Sequence, residues 1–151
     1  MQSTVIFDMH HTIYRTAISA LSNSTNHSVQ GIESMPYAIE TFVSFYKQGY
    51  KVVIISTSDT QSSRERLSYL LSTYGLTEDE VKELLKNIDI LSMQFFGSKH
   101  TKEAWLEAMR PYKNIEYIFE DGEAKLHAAG EAAKELGSDP DLYGSIEEFV
   151  K

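Results

Sequence analysis

Short, uninterrupted apolar runs alternate along the chain with longer stretches that mix apolar and polar residues. The clearest runs are residues 4–7 and 51–55, which are rich in the β-branched and aromatic residues that favour strands. Weaker runs lie at 88–91, 115–119 and 142–143. Because the two clear runs do not alternate apolar with polar residues, they are typical of a parallel sheet that is covered on both faces.

The mixed stretches carry apolar residues at the three- and four-residue spacing of amphipathic helices. This spacing predicts helices at residues 37–48, 67–74, 77–85, 101–110 and 126–136. The third of them opens with the Thr-Glu-Asp-Glu pattern of a capping box, and a glycine follows the first, second and fifth. Strands that alternate with helices indicate βαβ units, so we expect an α/β fold with three layers, Rossmann-like, around a mainly parallel sheet.

The length of 151 residues suits one domain, and no internal repeat or linker divides the chain. We therefore expect a single domain over residues 1–151. Residues 22–34 depart from the pattern, because they are polar and rich in Ser and Asn. This composition predicts a flexible loop.

Composition excludes several classes of protein. The chain has no cysteine, which rules out disulfides, thiolate nucleophiles and zinc sites built on sulfur. Its formal charge of −8 disfavours nucleic acid as a partner, because phosphate backbones attract basic surfaces. No apolar run approaches the roughly 18 residues of a membrane helix, and residues 1–4 do not start a signal peptide. We expect a cytoplasmic protein with no membrane partner, and its oligomeric state stays open.

The predicted strands end in residues that can carry chemistry, and ligands of doubly wound sheets bind at the carboxyl ends of the strands. These residues are Asp8, His10, Ser56, Thr57, Glu120 and Asp121, with Lys99 in the loop after the third strand. A carboxylate can attack phosphorus, paired acids can hold Mg²⁺, and an ammonium group can neutralise phosphate oxygens. The set therefore favours phosphoryl transfer.

In this order, the residues resemble the motifs of the haloacid dehalogenase (HAD) superfamily. Residues 5–12 (VIFDMHHT) are similar to the first motif, an apolar strand followed by D-x-D-x-T, and match it at Asp8 and Thr12. An apolar strand that ends in Ser56 matches the second motif, and a lysine before a helix matches the third, although its usual prolines are missing. Residues 117–122 (YIFEDG) match the acidic pair of the fourth. The resemblance extends from residue 4 to residue 149 and implies a HAD-like fold.

The resemblance also implies roles for these residues in a Mg²⁺-dependent phosphatase. Asp8 would be the nucleophile, which forms an aspartyl-phosphate, and also a metal ligand. Glu120 and Asp121 would complete the Mg²⁺ site together with the backbone carbonyl of His10. The phosphoryl group would be bound by Ser56, Thr57 and Lys99.

His10 is the main departure from the family pattern, because the general acid and base at that position is normally Asp. Imidazole titrates near pH 6.5 and can act as acid or base, but it is bulkier and adds positive charge. Two functions stay open: a phosphohydrolase that uses His10, and a catalytically impaired protein of the same fold that binds a phosphorylated ligand. A third, carbon–halogen hydrolysis, needs no metal in this superfamily, and the acidic pair argues against it.

The large cap domains of the family have no room here, since only 23 residues lie between Thr12 and Pro36. An open site suits a large phosphorylated substrate or a lid from another subunit, and a small phosphometabolite is the alternative.

Each candidate residue also has a purely structural interpretation. Asp8 can start a turn, the acidic pair can cap a helix, and Lys102 competes with Lys99 for the phosphate-binding role. His10 and His11 are neighbours, and adjacent side chains of an extended segment point apart, which disfavours a shared metal site.

Overall fold

The structure, a computed structural model, describes residues 2–16 and 31–151. Five strands of the described residues form one parallel sheet in the order β5–β4–β1–β6–β7, and β2 and β3 form a separate antiparallel pair. The strands are β1 (Thr4–Phe7), β2 (Tyr14–Thr16), β3 (Ile32–Ser34), β4 (Lys51–Ser56), β5 (Asp89–Ser92), β6 (Ile115–Phe119) and β7 (Asp141–Tyr143). The helices are α1 (Ala38–Lys47), α2 (Thr60–Tyr74), α3 (Glu78–Asn87), α4 (Lys102–Met109), α5 (Glu123–Glu135) and α6 (Ile146–Val150), with a 3₁₀ turn at Met93–Phe95.

The continuous apolar strands bury side chains on both faces of the sheet, as the sequence predicts. In β1, Val5 and Phe7 belong to the core under α1, α2, α3 and α6, whereas Ile6 belongs to the core under α4 and α5. All three side chains are fully buried. A sheet enclosed in this way confirms the predicted α/β architecture of three layers with a mainly parallel sheet.

Local signals in the sequence set most helix boundaries. The predicted capping box is present before α3, where the Thr77 hydroxyl accepts from the Glu80 amide and the Glu80 carboxylate accepts from the Thr77 amide. Gly75 ends α2 with a φ of 124°, a left-handed conformation that favours glycine. These two signals place the α2–α3 connection without any tertiary information.

The predicted loop over residues 22–34 is wrong at its end. Residues 22–30 lie outside the described residues, but β3 (Ile32–Ser34) pairs in antiparallel register with β2 (Tyr14–Thr16). Ile32 is buried, and an ion pair of 2.7 Å joins Arg15 to Glu33 across the two strands. Because each strand has only three residues, the pairing depends on the partner strand and not on a periodic pattern.

Within the described part of the chain, no helix has the length and apolar character needed to cross a bilayer.

Candidate active site

The site lies at the carboxyl end of β1, the central strand of the sheet. Asp8 follows β1 directly, and its amide donates to the Phe119 carbonyl at 2.9 Å, which continues the β1–β6 pairing by one residue. Ser56 is the last residue of β4, and Glu120 follows the last residue of β6. Because all three strands run parallel, their ends meet at one edge of the sheet, and the predicted site residues on them come together there.

Lys99 joins this edge from the loop between the 3₁₀ turn and α4. Its Nζ lies 2.7 Å from Asp8 Oδ1 and 2.8 Å from Glu120 Oε1, and its side chain is 1% exposed. Trp105 of α4 anchors this loop, because its indole Nε1 donates to the Lys99 carbonyl at 2.8 Å. Lys102, the competing candidate, forms a pair of 2.9 Å with Glu135 on the surface instead.

One ammonium group thus serves two buried carboxylates. Burial raises the pKa of Asp8, but the Lys99 charge and hydrogen bonds within the cluster outweigh it, so this pKa lies below its usual value. Burial and the nearby charge of Asp8 raise the pKa of Glu120 to about 8, against the opposing effect of Lys99. Asp8 therefore holds the negative charge of the pair, as a nucleophile requires.

Asp121 completes a cluster of three carboxylates around the site. Asp8, Glu120 and Asp121 each offer an oxygen, and these atoms all lie within 4.8 Å of one another. Asp8 and Glu120 are buried, whereas Asp121 is exposed. Hard carboxylate oxygens at this spacing fit a divalent cation such as Mg²⁺, which would offset the negative charge that Lys99 leaves uncompensated.

His10 and His11 lie in the tight turn after Asp8. Their ring centroids are 3.9 Å apart, and His10 also stacks on Tyr14 at 5.2 Å. The expectation that the two rings point apart is wrong, because His11 adopts a left-handed conformation (φ 66°) and the segment is not extended. Burial and the neighbouring His11 lower the pKa of His10, against the opposing effect of Asp8 and Asp121.

The proposed phosphate-binding residues lie at the carboxyl end of β4, where Ser56 is the last residue of the strand and Thr57 follows it. The Ser56 hydroxyl is buried and accepts a hydrogen bond from the Ser58 amide at 3.1 Å. Thr57 is exposed, and its carbonyl accepts from Gln94 Nε2 at 3.2 Å. The loop is thus fixed by its own hydrogen bonds, with one buried and one exposed hydroxyl side chain.

Sequence reasoning missed two residues beside the site. Trp105 is buried in the core, and its hydrogen bond to the Lys99 carbonyl also fixes the position of Lys99. Arg66 of α2 donates to the Ser58 hydroxyl at 3.1 Å and lies 5.5 Å from the centre of the Tyr14 ring. An arginine in the middle of a helix carries no local signal, so only the tertiary structure identifies it.

A cavity of about 780 Å³ lies between α1 and α3 and is lined by none of these site residues. We therefore locate the site by its chemistry and not by cavity size.

Solved structures with a similar fold include several HAD proteins. A HAD-superfamily hydrolase from Ehrlichia chaffeensis has a TM-score of 0.59 at 14% identity, with 99% of this chain and 97% of that chain covered. The HAD domain of the effector protein Lem4 from Legionella pneumophila has a TM-score of 0.58 at 15% identity, covering 95% and 86%. A haloacid dehalogenase-like hydrolase from Streptococcus pneumoniae has a TM-score of 0.54 at 11% identity, covering 99% and 97%.

A scan against protein-family models finds no match, and a search of curated proteins finds none either. The structural similarity confirms the predicted HAD-like fold of this chain.

Proposed function

We propose that this HAD-like chain is a Mg²⁺-dependent phosphohydrolase that removes phosphate from a phosphomonoester through an aspartyl-phosphate at Asp8. One observation carries the proposal. The Asp8 carboxylate is buried at the end of the central strand, with the Lys99 ammonium 2.7 Å away and the carboxylates of Glu120 and Asp121 beside it. An isolated structural Asp needs neither the buried cation nor the two further acids.

In the first step, an oxygen of Asp8 forms a bond to phosphorus while the bond from phosphorus to the leaving oxygen breaks. Lys99 compensates the charge on the phosphoryl oxygens, and Ser56 and Thr57 bind those oxygens from the β4 loop. His10, as imidazolium, donates a proton to the leaving oxygen, so the alcohol departs neutral.

In the second step, His10, now a neutral imidazole, takes a proton from water. The water oxygen forms a bond to phosphorus, the bond from phosphorus to Asp8 breaks, and inorganic phosphate is released. Mg²⁺ held by Asp8, Asp121, Glu120 and the His10 carbonyl would supply charge that stabilises the pentavalent transition state. Asp8 is regenerated as a carboxylate, which closes the cycle.

The HAD-superfamily hydrolases with a similar fold support this class of reaction. The carboxylate cluster supports the proposed Mg²⁺ requirement. It also argues against carbon–halogen hydrolysis, which needs no metal in this superfamily. The 23 residues between Thr12 and Pro36 are too few for a large cap domain, which favours an open site.

The direct test is phosphate release from an aryl phosphate, measured with Mg²⁺ and with a chelator. We expect Asp8→Asn and the chelator each to lower the rate by roughly three orders of magnitude or more, since each removes a group that acts in the transition state. Asp141→Asn, which changes an exposed acid on β7, serves as the matched control and should keep full activity. Phosphate release that survives Asp8→Asn would exclude an aspartyl-phosphate.

The His10→Asp variant separates the enzyme from the impaired binding protein. It restores the acid that the family normally has at this position. If the native chain hydrolyses aryl phosphate, the binding-only alternative fails. If only His10→Asp does, the native chain is the impaired form.

A further inference from the structure

A small cavity beside the site carries positive charge that the proposed reaction does not use. Its volume is about 260 Å³. We call it the Lys125 cavity, and its polar lining residues are Thr57, Gln94, Ser98, Lys99, His100 and Lys125.

The cavity adjoins the proposed phosphate-binding site, because Thr57 and Lys99 belong to that site and also line the cavity. A phosphoryl group held by these two residues would place the rest of its molecule within reach of the cavity. A further part of the lining comes from α5, where Lys125 lies in the first turn and its side chain folds towards Gly122. The cavity therefore has a second basic residue, which comes from a different element than Lys99.

Lys125 differs from the other lysines of the chain. Within residues 2–16 and 31–151, its ammonium group has no hydrogen bond and no ion pair, yet the residue is partly buried. By contrast, Lys102 is paired with Glu135, and Lys99 is paired with two acids. The other lysines without a carboxylate partner in that part of the chain are all exposed: Lys47, Lys86, Lys113 and Lys134.

The surroundings of Lys125 are also unusual for an acidic protein. None of the described residues that line the Lys125 cavity is acidic, although the chain carries a net charge of −8. The neighbouring cleft, which shares His100, contains Glu123 and Glu131. A partly buried cation in an acid-free cavity is a place for an anion, because no neighbouring carboxylate competes for the ammonium group.

We infer that the Lys125 cavity binds a second anionic group of the substrate, a carboxylate or a second phosphate, through the ammonium group of Lys125. This inference rests on the proposed phosphohydrolase function, since the scissile phosphoryl group has to lie at Lys99 and Thr57. It narrows the substrate class to small phosphorylated acids or bisphosphates.

Two phosphonates that cannot be hydrolysed form a matched pair for the test. 3-Phosphonopropionate and propylphosphonate have the same length and differ in a terminal carboxylate against a methyl group. Calorimetric titration of the full native chain in Mg²⁺ buffer should give a Kd about fivefold lower for 3-phosphonopropionate, the scale of one partly exposed charge pair.

Lys125→Ala should remove this preference and leave the Kd for propylphosphonate unchanged, whereas Lys125→Arg should keep it. Lys102→Ala is the control, because it removes the same charge from a lysine that lies outside the cavity. The inference would be overturned if the native chain bound both phosphonates equally, or if the preference for 3-phosphonopropionate persisted in Lys125→Ala. In either case, binding of propylphosphonate would leave the proposed function intact. If neither phosphonate binds, the phosphoryl site itself is refuted, and both proposals fall together.

Discussion

The two ends of the same parallel sheet carry polar clusters of opposite character. At the amino ends of the strands, Lys51 lies 3.1 Å from Asp89, and Tyr112 donates to the other oxygen of Asp89 at 2.6 Å. Glu116 accepts from Tyr50 at 2.6 Å and from Ser3 at 2.9 Å. We call these residues the amino-end network: Ser3, Tyr50, Lys51, Asp89, Tyr112 and Glu116.

The carboxyl-end cluster consists of Asp8, Lys99, Glu120 and Asp121. Here one ammonium group faces three carboxylates, and its side chain and that of Glu120 are each 1% exposed. In the amino-end network, the Lys51 and Asp89 side chains are 28% and 39% exposed. Water can therefore reach the charges of the network, whereas the side chains of Lys99 and Glu120 are closed off from water.

This difference separates stabilising polar contacts from a functional site. In the amino-end network, Glu116 accepts hydrogen bonds from two hydroxyl groups, and Asp89 accepts from one hydroxyl group and from Lys51. Both carboxylates are therefore satisfied without a ligand. The carboxyl-end cluster instead crowds three acids around one lysine, and the raised pKa of Glu120 reflects the cost of a second buried negative charge, which a divalent cation would offset. A group of acids crowded around one buried lysine at the strand ends is thus better evidence for a candidate site than the size of a cavity.

The largest expected effect comes from removing the buried cation. Lys99→Met leaves Asp8 and Glu120 buried without a cation beside them, and we expect the free energy of unfolding to fall by about 3 kcal/mol. Urea denaturation measures this loss. Lys102→Met, which removes an exposed pair, should cost less than about 1 kcal/mol. If the free energy of unfolding fell equally in the two variants, the stability of the carboxyl-end cluster would not depend on Lys99.

Magnesium should stabilise the carboxyl-end cluster alone. At ten times its Kd, Mg²⁺ should raise the free energy of unfolding by about 1.4 kcal/mol, because it binds only the folded chain. Asp121→Asn should reduce this gain, whereas Glu116→Gln in the amino-end network should retain it. Thermal denaturation with and without Mg²⁺ gives the comparison, and a gain that is unchanged in Asp121→Asn would place the ion elsewhere.

Tyr112→Phe tests whether the amino-end network is only structural. The variant loses the hydrogen bond from the phenol to Asp89, and we expect a loss of about 1 kcal/mol in the free energy of unfolding. Phosphate release should stay at the native rate. A large fall in that rate, with stability preserved, would contradict the division between the two ends of the sheet.

The smallest effect is a dependence of stability on alkaline pH. The hydrogen bond to Glu116, followed by burial, raises the pKa of Tyr50 to about 12, above the value of about 10 in the unfolded chain. The neutral phenol therefore stabilises the fold fully below pH 10, and this contribution is lost as the pH rises from 10 through 12. Denaturant midpoints across this range should fall more steeply for the native chain than for Tyr50→Phe, and identical slopes would refute the shift.

Local sequence determines much of the framework of this protein. The apolar runs of β1 and β4, the capping box at Thr77 and the glycine after α2 depend on residues close together in the chain, so their signals can be recognised in one sequence. The strand-end positions of Asp8 and Ser56 follow from the same runs. The predicted α/β fold needed no more than these patterns.

Tertiary structure alone decided which residues meet. The buried pair of Lys99 and Asp8 joins residues 91 positions apart, and no local pattern encodes such a contact. The β2–β3 pair, the stacked rings of His10 and His11, and the cavity at Lys125 likewise depend on distant segments or on a left-handed residue. The physical reason is that periodicity reports which face of an element is buried, whereas charge pairing and cavities arise only when separate elements pack together.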